Sequence, residues 1–234
     1  MTKTTRRDEI AAGLAEVEAN IAAACRAAGR TREELTLVAV SKTYPASDVR
    51  LLAALGVTDV GENRDQEAAA KAAECADLGL TWHFVGQLQT NKARSVAGYA
   101  DVVHSVDRSR LVTALGREAV RAGREITCLV QVALGDDPGR GGARPAEVAA
   151  LADAVAEARG LRLGGVMAVA PPGEEPGGAF ARLREMAQAV RENHPGADVI
   201  SAGMSGDMAE AIANGATHLR VGTALLGRRK PFVR

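Results

Sequence analysis

Neither sign of charge dominates this chain: 29 Lys and Arg residues stand against 29 Asp and Glu, which leaves no net field to draw in nucleic acid or an anionic membrane surface. Cysteine is scarce. Cys25, Cys75 and Cys128 are odd in number, widely spaced and without a Cys-x-x-Cys or a nearby His pair, so neither a disulfide framework nor a zinc site is indicated, and a reducing cytoplasm fits best. The four histidines show no metal-ligand spacing, and no metal is expected. No apolar stretch reaches the roughly 18 residues of a membrane span. Met1 to Arg7 leads into an Ala- and Glu-rich helical pattern, not into an apolar signal core. Arg228-Arg-Lys230 is too short a basic run to read as more than a solvated terminus.

What is present is apolar material in regular portions. With 234 residues, 47% hydrophobic and 25% charged, residues 1–234 can bury one large core as a single domain. Ile10, Leu14, Val17, Ile21 and Cys25 recur at helical spacing, predicting an amphipathic helix that stops near Gly29. Eight strand-like runs follow: Leu35–Ser41, Val57–Gly61, Thr81–Gly86, Ala100–Val106, Ile126–Leu134, Leu161–Ala170, Ala197–Ala202 and Thr217–Gly222. Helical patterns separate them, such as Val148, Leu151 and Val155, or Phe180, Leu183, Met186 and Val190. Strict alternation implies a parallel sheet with helical crossovers, and eight repeats close into an α/β fold of the (β/α)8 TIM-barrel type with an additional N-terminal helix. An open doubly wound sheet is the alternative. The Gly/Pro-rich loops Gly135–Gly142 and Pro171–Gly178 follow strands and so fall on the functional rim of a barrel; the second reads as a mobile connector.

Lys42 ends the first strand-like run. If Val38 and Val40 fill the barrel interior, alternation carries Lys42 into its mouth, where partial desolvation would favour a neutral amine able to attack a carbonyl. A lysine at a strand end is by itself more often simply solvated. The far end of the chain gives it company. Ser205 follows a strand and the Gly203 turn, and Gly222-Thr223 follows the eighth strand, so each could hold a phosphate with hydroxyl and backbone amides. Singly, Ser205 reads as a helix N-cap and Gly222-Thr223 as a turn. Together with Lys42 they suggest a phosphorylated aldehyde as ligand. On the eighth strand Leu219 and Val221 form an apolar face, leaving His218, Arg220 and Gly222 toward the interior. Arg220 would enter the mouth as a permanently charged donor, or else pair with Glu62 or Asp207. Asn63 is a polar contact to the ligand or the N-cap of the next helix. His83 and His104 read as structural hydrogen-bonding residues in preference to general bases.

The segments Ala39-Val-Ser-Lys-Thr43, Gly61-Glu-Asn63, Trp82-His-Phe-Val-Gly-Gln-Leu-Gln89 with Asn91-Lys92, Gly203-Met-Ser205 and Arg220-Val-Gly-Thr223, in this order and spacing, resemble the pyridoxal phosphate homeostasis proteins over nearly the whole chain. The resemblance implies a barrel similar to the N-terminal domain of alanine racemase. It further implies pyridoxal 5'-phosphate (PLP) as a Schiff base on Lys42, its phosphate near Ser205, Gly222 and Thr223, and Arg220 at the pyridine nitrogen. It implies a cytoplasmic, monomeric cofactor carrier that buffers free PLP, meets PLP-dependent apoenzymes transiently and has no established catalytic residue. Where the family shows a lysine followed by Ser/Thr-Gly, this chain has Arg140-Gly141-Gly142, which leaves that loop's contribution to ligand control open. The alternative is a PLP-dependent amino-acid racemase of weak or specialised activity. Racemization requires a second base on the opposite ligand face, for which only Tyr44 and Tyr99 are at hand. A cofactor-free Schiff-base aldolase is a third reading.

Overall fold

The computed structural model describes residues 4–135 and 141–227. Helix α1 (Arg6–Ala27) opens on a capping box in which Asp8 N–H donates to Thr5 Oγ1 (3.2 Å) and Thr5 N–H donates to the Asp8 carboxylate (3.0 Å), satisfying amides that the helix itself leaves unpaired. Its buried face is Ile10, Val17, Ile21 and Cys25; Leu14 is partly buried beside them.

Eight strands follow: β1 (Thr36–Val40), β2 (Asp59–Glu62), β3 (Thr81–Phe84), β4 (Val102–Val106), β5 (Ile126–Gln131), β6 (Leu161–Met167), β7 (Val199–Ser201) and β8 (His218–Val221). Each pairs in parallel with the next, and β8 pairs back on β1 with Leu37 opposite Leu219 and Val38 opposite Arg220. That last pairing closes the barrel and removes the open-sheet alternative. The crossovers are α2 (Ala46–Ala54), α3 (Asp65–Glu74), α4 (Ala93–Ala97), α5 (Ser109–Ala122), α6 (Val148–Glu157), α7 (Pro176–Asn193) and α8 (Met208–Ala213), with α9 (Thr223–Leu226) after β8. Most of the sequence-based strands overshoot their ends, although Val57–Gly61 stops one residue short of β2: β5 stops at Gln131, and Val132 makes only an isolated bridge to Ala143.

The two strand faces separate as the pattern requires. Leu37, Ala39, Leu219 and Val221 join the main core under the helices. Val38 and Val40 point inward, since a Cβ placed on Gly61 of β2 would meet their side chains at 3.0 and 3.2 Å. Leu52, Leu111, Leu115 and Leu183 are fully buried in the core, each contributing about 1.5–3 kcal/mol of apolar burial.

Helix α1 lies against α8 and α9. Gly13 makes this approach possible, because a Cβ there would stand 2.6 Å from the Leu225 carbonyl oxygen. At the helix start, Arg6 donates to the Leu226 carbonyl (3.0 Å) and to Asp48 (2.6 Å).

The segment Pro171–Gly178, expected to be a mobile connector, carries local structure. Its second half is the first turn of α7, where the Glu175 carboxylate accepts the Gly177 and Gly178 amides (3.0 and 2.9 Å). Arg182 ties the loop down through Glu174 (2.6 Å) and the Leu134 carbonyl (3.1 Å). In the other rim loop, residues 136–140, Arg140 included, lie outside the described residues, as does Arg228-Arg-Lys230. The chain re-enters at Ala143, whose N–H donates to the Gln131 carbonyl at 2.7 Å. Among the described residues no helix is long and apolar enough to cross a membrane.

Candidate ligand site

At the carboxyl ends of the strands the barrel opens into a cavity of about 830 Å³, within the size range of small-molecule sites. Lys42, Asn63, Ser205, Arg220, Gly222 and Thr223 all line it. Six residues spread over 182 positions of sequence thus reach one space, because successive strands deliver their loop residues to the same rim.

Lys42 does so as an exposed side chain, the solvated strand-end alternative, and not as the partly desolvated amine. What is constrained is the backbone around it. The neighbouring Ser41 is fully buried: its Oγ donates to Glu62 Oε1 (2.5 Å), its carbonyl accepts from Lys71 Nζ (2.8 Å), and its N–H donates to the Gly61 carbonyl (2.9 Å). Lys71 also pairs with Glu62, and both are buried. On the other side Thr43 has φ +69°, a left-handed conformation that a β-branched residue rarely adopts. The Thr43 N–H donates to Glu67 (3.2 Å). The Ser41–Glu62–Lys71 clamp was absent from the sequence reading. Its members come from the residue after β1, from β2 and from α3, and no spacing announces the register that joins them.

Ser205 is not an N-cap. Helix α8 begins at Met208 after Asp207, whose carboxylate accepts the Met204 amide (2.6 Å); Ser205 sits exposed in the preceding turn. Gly203 starts that turn at φ +92°, and a Cβ on it would lie 2.7 Å from the Ala211 side chain, so glycine is required on both backbone and steric grounds. Across the mouth, a Cβ on Gly222 would be 3.1 Å from the Val40 carbonyl oxygen. Thr223 begins α9, where the first amides have no partner within the helix.

Arg220 is buried, and its partners are neither Glu62 nor Asp207. Nη1 donates to Ser201 Oγ (2.6 Å) and Nη2 to the Ala168 carbonyl (2.9 Å); Glu62 is taken by Ser41 and Lys71, outside the barrel lumen. Burial pulls the Arg220 guanidinium down to about 10, with Asp207 acting in the opposite sense, so it remains a cation at neutral pH. Asn63 is not an N-cap either, since α3 begins at Asp65 after Arg64. Its Oδ1 is buried and without a hydrogen-bond partner. Of the two tyrosines, Tyr44 lines the cavity and donates to the Gly227 carbonyl (2.5 Å). Tyr99 is not among the cavity residues; its hydroxyl is buried and unpartnered, and burial with the nearby Asp65 and Glu62 pushes it up.

His83 and His104 are hydrogen-bonded inside the barrel, to each other (2.8 Å), and onward to Asp59 (2.8 Å) and Ser201 (2.9 Å). His104 is held well below the usual imidazole range by burial and by His83, Arg220 and His218.

Chemically, the cavity offers an exposed primary amine, a fixed guanidinium, the hydroxyls of Thr43, Tyr44, Ser205 and Thr223, backbone amides at the start of α9 and an unsatisfied amide oxygen. That set suits a small anionic carbonyl compound. The unsatisfied Asn63 oxygen is the feature that fits a bound small ligand of the PLP type; the close approach at Gly222 is to the Val40 carbonyl and packs β8 on β1.

Residues 13–230 match the family model described as alanine racemase, N-terminal domain. The pyridoxal phosphate homeostasis protein of Mycobacterium tuberculosis is 43% identical over 244 residues, covering 96% of this chain and 95% of that protein. The pyridoxal phosphate homeostasis protein of Escherichia coli is 41% identical over 228 residues, covering 95% and 97%. The structure of PipY from Synechococcus elongatus with PLP bound superposes with a TM-score of 0.82 at 38% identity, covering 93% of this chain and 100% of that one. Identity at this level along nearly the full length, on a closed barrel with its cavity at the expected rim, places the chain in the pyridoxal phosphate homeostasis protein family, within the alanine racemase N-terminal domain fold.

Proposed function

We propose that this protein, as one barrel unit, holds PLP as a Schiff base on Lys42 and serves intracellular PLP homeostasis by buffering and supplying the cofactor. The observation that carries the reading is the convergence of Lys42, Arg220, Ser205, Gly222, Thr223 and Asn63 on one cavity. The relatives named for PLP homeostasis and the PLP-bound PipY neighbour support it. When bound, PLP supplies an aldehyde that condenses reversibly with an amine.

The chain's own residues then divide the work. Lys42 presents its amine on a backbone that the Ser41 clamp keeps in place. Ser205, Thr223 and the amides after Gly222 take the phosphate by charge-assisted hydrogen bonds. Arg220 faces the ring as a donor that does not give up its proton, which favours retention over turnover. Asn63 Oδ1 gains a partner on binding. An exposed Lys42 also leaves water and incoming amines a route to the bond, so release by hydrolysis or exchange needs no opening of the fold. The carrier is proposed to be a cytoplasmic monomer that meets PLP-dependent apoenzymes transiently.

Adding PLP to the purified protein is expected to give a visible absorption band that borohydride converts into a stable adduct on Lys42. No band, or an unchanged band and adduct in Lys42→Ala, overturns the reading. A second reading, amino-acid racemization, is favoured by one observation: Tyr44 brings a phenol to the cavity that holds Lys42. Deuterium exchange at the α carbon of alanine, lost in Tyr44→Phe, would support it.

A further inference from the structure

A continuous hydrogen-bond path runs through the barrel lumen from its floor to the ligand cavity. Asp59, the first residue of β2, meets His83 Nε2 at 2.8 Å; His83 Nδ1 meets His104 Nε2 at 2.8 Å; His104 Nδ1 meets Ser201 Oγ at 2.9 Å; Ser201 Oγ meets Arg220 Nη1 at 2.6 Å. The four linking residues come from β2, β3, β4 and β7 and end on β8. His83, His104 and Ser201 are each buried to 2% exposure or less.

The two ends fix the outer bonds of this path, and with both rings neutral they fix the inner ones as well. A guanidinium can only donate, and an ionised carboxylate can only accept. His83 must therefore donate from Nε2 to Asp59. A neutral ring then leaves Nδ1 as acceptor, so His104 donates from Nε2, accepts at Nδ1 from the Ser201 hydroxyl, and Ser201 accepts from Arg220. Burial works against the Asp59 carboxylate, yet hydrogen bonds from His83 and Thr58 bring it below its ordinary range, and His104 is held neutral by burial. Both shifts agree with the assignment made from geometry.

We infer that Asp59, His83, His104 and Ser201 are positioning residues for Arg220, forming a one-way hydrogen-bond chain with both imidazoles as Nε2–H tautomers that fixes the guanidinium toward the ligand cavity. The Ala168 carbonyl holds the second guanidinium nitrogen (2.9 Å), so the chain and this carbonyl together leave Arg220 one orientation. The consequence for ligand handling rests on the PLP reading above, whereas the proton arrangement does not.

The test has two arms on the full-length protein. Long-range proton–nitrogen NMR of ¹⁵N-histidine-labelled protein without ligand, assigned with His194→Asn and His218→Asn, is expected to show His83 and His104 as neutral Nε2–H tautomers. In Asp59→Asn the new amide can donate to His83 Nε2, and both rings are expected to convert wholly or partly to Nδ1–H. A charged or Nδ1–H ring at either position in the unaltered protein overturns the inference, whether or not Asp59→Asn folds. In the second arm, Asp59→Asn loaded with PLP is expected to keep the borohydride-trapped adduct on Lys42 but release PLP about tenfold faster, as for a weakened charged hydrogen bond. Unchanged tautomers together with unchanged release overturn the positioning role. Absence of any adduct in the unaltered protein defeats the PLP reading instead, and the tautomers still decide the chain.

Discussion

Lys42 and Arg220 reach the same cavity from adjacent strands, and they are secured in opposite ways. Arg220 is fixed at the tip of its side chain, by Ser201 and the Ala168 carbonyl inside the barrel. Lys42 is fixed at its root: its neighbours Ser41 and Thr43 are held by Glu62, Lys71 and Glu67, while its own side chain stays exposed. A group that makes and breaks a covalent bond needs torsional freedom at its tip with a defined origin. A group that only offers charge and hydrogen bonds works better when it does not move.

The largest effect that would break this comparison lies in the clamp. Glu62→Ala leaves the buried Lys71 without its counter-charge, and a loss of about 3–5 kcal/mol is expected on denaturant unfolding. Glu62→Leu combined with Lys71→Met should recover much of that loss, because no unpaired charge remains. If the double variant is stable yet binds PLP through Lys42 poorly, the clamp's role is orientation as well as stability.

Next in size is the acid response of the lumen that holds Arg220. Burial, with His83 adding to it, brings His218 to about 4 from an ordinary 6.5, and His104 is shifted in the same direction. Unfolded imidazoles take up protons near pH 6.5 while the folded ones do not, so the unfolded state binds more protons in this window. Stability is therefore expected to fall as pH drops from about 6.5 toward about 4, by roughly 2–3 kcal/mol for His218. His218→Asn should flatten that part of the profile; an unchanged slope would show that His218 does not control it.

A steric test follows. Gly13→Val places a side chain against the Leu225 carbonyl and should cost about 1–3 kcal/mol by thermal denaturation, with α9 displaced and PLP retention weakened while Lys42 itself is untouched. The smallest expected effects are at the hydroxyls. Ser205→Ala and Thr223→Val each remove about 1 kcal/mol of hydrogen bonding, so PLP should dissociate about fivefold faster with the visible band intact. Loss of the band at saturating PLP in either variant would mean that the hydroxyl supports the fold and not the ligand.

Much of this was legible in the sequence for a physical reason. Strand alternation is local, so Val38, Val40 and Lys42 declare a common direction, as do His218, Arg220 and Gly222, and an eight-fold rhythm of strand and helix leaves few closures. The features not legible there depend on distant partners. His83 and His104 read correctly as structural hydrogen-bonding residues, but their mutual bond and its extension from His104 to Ser201 appear only when β3, β4 and β7 come together. Ser205 looks like an N-cap until Asp207 proves to hold the Met204 amide and start the helix later. For Lys42 the strand pattern leaves open a desolvated or a solvated amine, and only the fold decides that it is exposed.

The contact between α1 and α9 also bears on how the protein is made. Arg6 and Gly13 meet Leu226 and Leu225, and β1 finds its closing partner only in β8. The two residues that would grip opposite parts of a ligand, Lys42 and Arg220, therefore stand far apart in order of synthesis. A ribosome releases Lys42 early, but the pocket around it exists only after β8 and α9 have emerged and seated on the waiting first helix. A partly translated chain thus carries Lys42 without that cavity, and on the PLP reading cofactor loading would wait for the completed barrel.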